Sequence, residues 1–399
     1  MRLTPAYSVR LVREVLAEYE GDLRVLDPFA GTSTTPLAAV EQGLDAVGVD
    51  INPFLVWLGN AKVSRYGPDV PAQARDTLGD VLATADDVEP VDPPPIHNIE
   101  RWWDDDVLGA LCSLRAAIAQ AADDDSHTRC LLDVAFCRTM IEVSRASFNH
   151  QSMSFAEGSG GNANGRDECL PAFQHFAQWV IRSVRPDPTG NGQVVLGDSR
   201  KLADAVDGEF DLVLTSPPYA NRMSYIRELR PYMYWLGYLT DARGAGELDW
   251  RAIGGTWGVA TSRVTDWEPD EEWYEPEYLR DIVQRIRDAS DKSGDVLSQY
   301  VRKYFYDIWQ HIRALKPVVS EGGAVVYIVG NSTFYDVLVP TEELYADMLR
   351  EAGFKDVGIR VVRKRNSKKE LFEYAVEASV GELRLRRRRE TQLTLLPET

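Results

Sequence analysis

This chain of 399 residues is short of cysteine, of long apolar runs and of positive charge. Its four cysteines, Cys112, Cys130, Cys137 and Cys169, include no Cys-x-x-Cys pair. That spacing excludes a zinc ribbon and a disulfide framework and fits a reduced, cytoplasmic protein. No apolar run approaches the ~20 residues needed to cross a bilayer. The opening Met-Arg-Leu-Thr-Pro-Ala-Tyr lacks the apolar core of a signal peptide, so the expectation is a cytoplasmic chain with no membrane partner. Lys and Arg number 44 against 62 Asp and Glu, a formal net charge of -18. A surface coated in positive potential for polyanions is thereby excluded, though a local basic groove is not. Neither an internal repeat nor a low-complexity domain organises the chain.

What is present is an α/β rhythm. Arg24-Val25-Leu26 reads as a short strand entering Asp27-Pro28-Phe29-Ala30-Gly31-Thr32-Ser33-Thr34-Thr35. Small residues there let a backbone approach a ligand, and the Ser/Thr cluster suits the start of a helix over 37–42. Ala46-Val47-Gly48-Val49-Asp50 is the next strand, ending in an acid. A strand, a Gly-containing turn, a helix and a strand with a terminal acid ~20 residues after the turn make half a nucleotide-binding unit, the acid placed for ribose hydroxyls. Gln193 to Leu196 is a further strand followed by Asp198. Asp211 to Thr215 is an apolar strand ending in Ser216-Pro217-Pro218-Tyr219. Two prolines stop the ladder and fix the backbone at the carboxyl end, where open α/β sheets bind ligands.

These motifs resemble those of the amino DNA methyltransferases. Asp27 to Thr35 looks like the family's first cofactor motif, Val49-Asp50-Ile51-Asn52-Pro53 like its second, Pro5-Ala6-Tyr7-Ser8 like the segment over the methionine end, and Ser216 to Tyr219 like its catalytic motif. Ser33 departs from the glycine common at that point. The resemblance implies a Rossmann-like methyltransferase fold with a mostly parallel central sheet and helical insertions. It implies S-adenosylmethionine as cofactor, held by Tyr7, Asp27, Pro28, Phe29, Ala30, Gly31, Thr32, Asp50, Ile51, Asp198 and Ser199. Asp198 would accept from the adenine amino group. It assigns catalysis to Ser216, Pro217, Pro218 and Tyr219, with Ser216 Oγ and the Pro217 carbonyl accepting the hydrogens of an exocyclic amine and Tyr219 stacking on the base. The partner is double-stranded DNA with the target base flipped out, and a cognate restriction endonuclease is compatible with it. The serine-led motif is associated with N4 of cytosine, the Asp- or Asn-led one with N6 of adenine. No metal is called for. The Pro-Cys pair of C5-cytosine enzymes is absent.

The methyltransferase core is read as 1–53, 191–239 and 296–380. Residues 54–190 are read as a helical insertion suited to target recognition, with a linker over 76–95. Residues 240–295 form a second insertion and 381–399 a basic tail. Asn221, Arg222, Ser224 and His150 are candidate nucleic-acid contacts; Arg138 and Arg145, and the basic residues from Arg363 to Lys369, are candidate phosphate contacts. The aromatic run from Tyr225 to Tyr238 reads as core. Rival readings are an N6-adenine enzyme, a guanine-N2 RNA methyltransferase and a silent nucleic-acid-binding subunit. With its cofactor strand starting by residue 24, the expectation is a chain without the amino-terminal RNA-binding domain that most tRNA members of that class carry. The Asp50, Asp198 and Ser-Pro-Pro-Tyr set argues against the silent subunit.

Overall fold

The fold comes from a computed structural model that describes residues 8–147, 154–155, 165–184, 189–220, 225–255, 259–366 and 371–385. In order, the elements are α1 (Val9–Glu18), β1 (Arg24–Asp27), α2 (Thr34–Glu41), β2 (Asp45–Asp50) and α3 (Pro53–Val63). Next come α4 (Val70–Thr84), α5 (Asp105–Ala121), α6 (His127–Glu142), β3 (Ala146–Ser147), β4 (Ser154–Phe155) and α7 (Cys169–Ser183). Then β5 (Gly192–Leu196), β6 (Phe210–Thr215), α8 (Tyr225–Trp235), α9 (Ala242–Arg251), α10 (Val259–Thr265), α11 (Glu277–Asp288) and α12 (Gly294–Leu315). The last are β7 (Val319–Gly330), β8 (Ser332–Phe334), β9 (Val337–Val339), α13 (Thr341–Glu351), β10 (Lys355–Asn366) and β11 (Leu371–Ser379).

Two compact units result, one of 1–4, 64–188 and 228–245, the other of 5–63, 189–227 and 246–399. The second holds a seven-stranded sheet in the order β10-β11-β7-β6-β1-β2-β5. β5, β2, β1, β6 and β7 run parallel; β11 is antiparallel to both β7 and β10. This is a Rossmann-like fold with a mostly parallel sheet, as the sequence implies. Its first five strands follow the doubly wound order, and the last two form an appended hairpin. Side chains alternate between two cores, as strand geometry requires. Leu26, Val213, Val325 and Tyr327 enter one with α11, α12 and α13. Val25, Leu212, Leu214 and Val326 enter the other with α1 and α2. Val9, the first residue of α1, is 45% exposed; the core face of the helix starts at Leu11.

In the other unit, α5, α6 and α7 close on a core containing Trp103, Phe136 and Phe173. The Trp235 ring meets Trp103 at 5.7 Å and Phe136 at 5.3 Å. Tyr232 and Tyr234 are also buried and Tyr238 is half-buried, so the aromatic run is core from Tyr232 to Trp235; the Tyr225 side chain lies outside the described residues. The linker read over 76–95 is corrected for 76–84, where α4 continues to Thr84; 85–95 has no regular structure, as a linker would. Ala74, Leu78, Val81 and Ala85 recur every three or four residues and are buried, so the acids lie on the outer face of a helix.

The units divide the chain differently from the segments read in the sequence. Residues 54–63 form most of α3 and stay with the sheet, as does 246–295. The reason for the latter is α11: Leu279, Ile282, Val283 and Ile286 share a face and are buried in the core with α12. Each such side chain removed from water contributes ~1.5–3 kcal/mol. The acidic run before α11 is matched by α12, where Arg302 holds Glu268 and Glu275 and Arg313 holds Glu271.

Candidate functional site

β1 lies between β2 and β6, and the chain passes to opposite sides of β1 to form them. The carboxyl ends of β1 and β6 therefore flank a topological switch point, where α/β sheets leave a crevice. Asp27 ends β1 and Thr215 ends β6; the Thr215 hydroxyl donates to Asp27 Oδ1 at 2.6 Å. One hydrogen bond thus ties the strand leading into the Gly31 turn to the strand leading into Ser216-Pro217-Pro218-Tyr219.

The turn is built from backbone N–H groups. Phe29 N donates to Asp27 Oδ1 (3.1 Å), Ala30 N to Val49 O (2.9 Å) and Gly31 N to Asp50 Oδ2 (2.8 Å). Gly31 takes φ +50°, and Ser33 takes φ 60° with its buried Oγ unbonded. Such a left-handed serine costs ~1–2 kcal/mol, which explains why glycine suits this point. β2 passes close beneath: a Cβ on Gly48 would stand 2.8 Å from Ala30 Cβ. Asp50 Oδ1 accepts from Asn52 N at 2.8 Å, and Asn52 Oδ1 caps α3 through Phe54 N at 3.0 Å. Ile51, between them, is half-buried. Lys62 Nζ donates to the Thr32 carbonyl at 2.5 Å.

Two carboxyls face this turn. Burial pushes Asp27 up to about 6, against hydrogen bonds from Thr215, Phe29 and Thr35 that pull it down. Its Oδ2 is buried with no donor in hydrogen-bonding geometry. Burial likewise pushes Asp50 up to about 6 against the N–H groups of Asn52, Gly31 and Ile51. The carboxylate's two oxygens offer about four acceptor sites, so these backbone donors leave acceptor capacity unspent.

Asp198 follows β5 on the same sheet edge, with Asp50 paired to Leu196. It caps the short 3-10 turn Ser199–Asp204 through Arg200 N at 3.0 Å. Its carboxylate is also held by Arg200 Nε (2.9 Å) and Nη2 (2.7 Å). Burial pushes the Asp198 carboxyl up, but Arg200 outweighs it and the net shift is down. Arg200 continues to Asp307 at 2.8 Å, and Asp307 to Lys303 at 2.6 Å. The Ser199 carbonyl accepts from His311 Nδ1 at 2.9 Å. That fixes the tautomer: Nδ1 carries the proton, and Nε2 accepts from Tyr327 OH at 2.8 Å. The His311 ring meets Phe29 edge-on at 4.6 Å, and burial lowers its pKa to about 4. Arg200, Lys303, Asp307 and His311 were not singled out from the sequence. Within α12 the last three carry no motif, and only the topology brings them beneath the turn.

Directly after β6, Ser216 is half-buried, its hydroxyl near enough to that of Tyr219 to lower the latter's pKa against burial. Pro217 is buried. The Pro218 carbonyl accepts from Tyr304 OH at 2.7 Å. Tyr304 has then spent its proton, so in the 2.9 Å contact Tyr345 OH donates to Tyr304. Tyr219 OH donates to Glu373 Oε1 at 3.1 Å, and Arg363 braces Glu373 at 2.6 and 3.0 Å. Burial, then the Glu373 charge, raises the Tyr219 pKa well above its ordinary value. The Arg365 guanidinium lies 5.2 Å from the Tyr219 ring centroid and donates to the Asn331 carbonyl.

This assembly depends on Gly330 at the end of β7. A Cβ there would stand 2.6 Å from Arg365 Nη1 and 3.0 Å from Tyr219 Cε2. Gly330→Ala is expected to push the guanidinium off the ring and lower turnover on the order of tenfold, with thermal stability nearly unchanged. Steady-state rates beside a melting curve check it; an unaltered rate shows that the Arg365 contact is incidental.

The structure thus brings Asp27, Pro28, Phe29, Ala30, Gly31, Thr32, Asp50, Ile51, Asp198, Ser199 and Ser216 to Tyr219 to the carboxyl edge of one sheet. Tyr7, His150, Asn221, Arg222 and Ser224 lie outside the described residues, as do Lys368 and Lys369. Several basic residues read as phosphate contacts have protein partners. Arg138 pairs with Glu142 at 3.5 Å and covers the Phe176 ring at 5.0 Å, Arg145 pairs with Asp104, and Arg363 with Glu373. Among the described residues no cluster of His, Cys, Asp or Glu has metal-holding geometry.

No family model matches the chain. It is 22% identical over 370 residues to the Type II methyltransferase M.MvaI of Kocuria varians, covering 86% of this chain and 77% of that protein. It is 20% identical to the Type II methyltransferase M.BsoBI of Geobacillus stearothermophilus, covering 94% and 82%. Among solved structures, TrmN of Thermus thermophilus (10% identity, TM-score 0.32) aligns over 93% of this chain, which spans 48% of that protein. The rRNA methyltransferase aviRa of Streptomyces viridochromogenes aligns over 94% of this chain and 86% of its own length, at 10% identity and TM-score 0.30. In sequence the chain is a relative of methyltransferases along most of its length.

Proposed function

We propose that this chain transfers a methyl group from S-adenosylmethionine to an exocyclic amino group of a DNA base, N4 of cytosine. The observation that carries the reading is the Thr215–Asp27 hydrogen bond, which sets a Ser-Pro-Pro-Tyr loop beside a nucleotide-type turn at one switch point. The Type II methyltransferase relatives favour DNA.

The residues fit the cofactor. The ribose hydroxyls suit the remaining acceptor sites of Asp50, and the methionine ammonium suits the orphaned Asp27 Oδ2. Asp198, oriented by Arg200, keeps acceptor capacity for the adenine amino group. When bound, S-adenosylmethionine supplies an electrophilic methyl group on a sulfonium. The chain supplies acceptors. An exocyclic amine is a poor nucleophile because its lone pair is delocalised into the ring. Ser216 Oγ and the Pro217 carbonyl, accepting its two hydrogens, draw the nitrogen toward tetrahedral geometry. The diproline holds that carbonyl in place beforehand, so little reorganisation accompanies the reaction. Tyr219, pinned by Glu373, offers the base a ring face; stacking offsets ~1–3 kcal/mol of the cost of flipping. Arg365 already covers one face, so a base stacks on the other or displaces the guanidinium. Target reading is assigned to the helical unit of 64–188 and 228–245, and a cognate restriction endonuclease belongs to the same reading.

Binding should depend on pH with a definite sign. Asp27 and Asp50 hold their protons up to about 6, above the ordinary 3.8. Alone, such raised values favour the folded chain below about 4 and lose that contribution as pH rises to about 6. Cofactor affinity runs the other way, because both carboxyls must be ionised to accept. Calorimetry is expected to show affinity falling about tenfold per carboxyl between pH 7 and pH 5. A flat profile removes both acids from cofactor binding.

The test of function is methylation-aware sequencing of DNA from a host expressing the chain, beside an Asp50→Ala control. N4-methylcytosine at a recurring short motif is expected. N6-methyladenine there selects the adenine reading. No modified base with cofactor still bound overturns DNA as substrate.

A further inference from the structure

Helix α7 (Cys169–Ser183) differs from its neighbours in charge. α4 carries Asp76 and Asp80, α5 Asp105 and Asp106, α6 Asp133 and Glu142. At this chain's acid content a helix of α7's length would carry about two acids. α7 has none, and none occurs from Cys169 through Pro186. Its inner face is ordinary: Phe173, Ala177, Val180 and Ile181 are buried. Its outer face holds Gln174, His175, Gln178, Trp179 and Arg182, all exposed. Gln174, Gln178 and Arg182 form one ridge at four-residue spacing, with His175 and Trp179 on the next. Trp179 is 58% exposed, the one tryptophan among the exposed large apolar side chains of the described residues. A purely solvated face of so acidic a chain gains nothing from a bare indole and from excluding acids.

We propose that this face of α7 lies against the target DNA duplex; the inference rests on the methyltransferase reading above. The chemistry matches a duplex on three counts. The absence of carboxylates leaves no repulsion from phosphates, and Arg182 supplies a counter-charge. Gln174 and Gln178 carry the paired donor and acceptor that read adenine N6 and N7 in the major groove. The 15-residue helix is ~22 Å long, and a single helix fits the ~12 Å width of that groove. Trp179 and His175 add flat surfaces against sugars or bases. Arg138 is kept apart from this role by Glu142 and the Phe176 ring.

The test uses the full chain and fluorescein-labelled duplexes, one bearing the motif found by sequencing and one scrambled, read by anisotropy across a salt series. Arg182→Ala is expected to weaken both duplexes about tenfold and to lower the salt slope by about one. Gln178→Ala is expected to weaken the cognate duplex alone and to relax one position of the methylated motif. S-Adenosylmethionine affinity should be unchanged in both, which separates a surface effect from misfolding. If the parent binds duplex and both variants bind it equally well, the inference fails alone, and the face belongs to a protein partner. If the parent binds no duplex, the inference fails together with the DNA reading.

Discussion

Ser216→Ala is expected to cut methyl transfer by about a hundredfold or more while S-adenosylmethionine binds as before. The hydroxyl is one of two acceptors assigned to the amine hydrogens, and its loss removes an interaction made as the nitrogen changes geometry. Nothing in the cofactor turn depends on it. Asp27, Thr215 and Asp50 form their hydrogen bonds without Ser216, and Tyr219 stays pinned by Glu373. Single-turnover rates beside calorimetric affinity separate the two effects. A matching loss of cofactor affinity would sink the assignment, because Ser216 would then be holding the turn rather than the amine.

Asp50→Ala should do the opposite. It removes the acceptor for the ribose hydroxyls and also leaves Gly31 N and Asn52 N without their partner at 2.8 Å. Hydrogen bonds to a charged group are worth ~1.5–3 kcal/mol each, so losing two or more is expected to weaken cofactor binding by a factor of about a hundred or beyond detection. Asp50→Asn keeps one acceptor oxygen and most of the turn, and should lie between. An alanine variant that binds S-adenosylmethionine with parental affinity would remove Asp50 from the site.

How much of this was legible beforehand differs from residue to residue. Local chemistry marked the turn at Gly31, the acid after β2 and the diproline after β6, because each needs particular side chains at fixed spacing. Local chemistry misled at 76–84, where acids suggested the start of a linker and the recurrence of Ala74, Leu78, Val81 and Ala85 every three or four residues decided for helix.

The sequence by itself determined the strands, the placing of acids at their ends and the rigid Ser216 to Tyr219 loop, since periodicity, glycine and proline act over a few residues; the parallel sheet was implied by the resemblance. Only the tertiary structure decided that Thr215 bonds Asp27, that Arg200 reaches Asp307, that His311 lies under Phe29, and that Glu373 and Arg365 hold Tyr219. Those pairs are joined by strand order and by helices crossing the sheet, across as many as 282 residues of chain between Phe29 and His311. No local pattern specifies a partner at that distance; burial does, because a polar group taken out of water must find one.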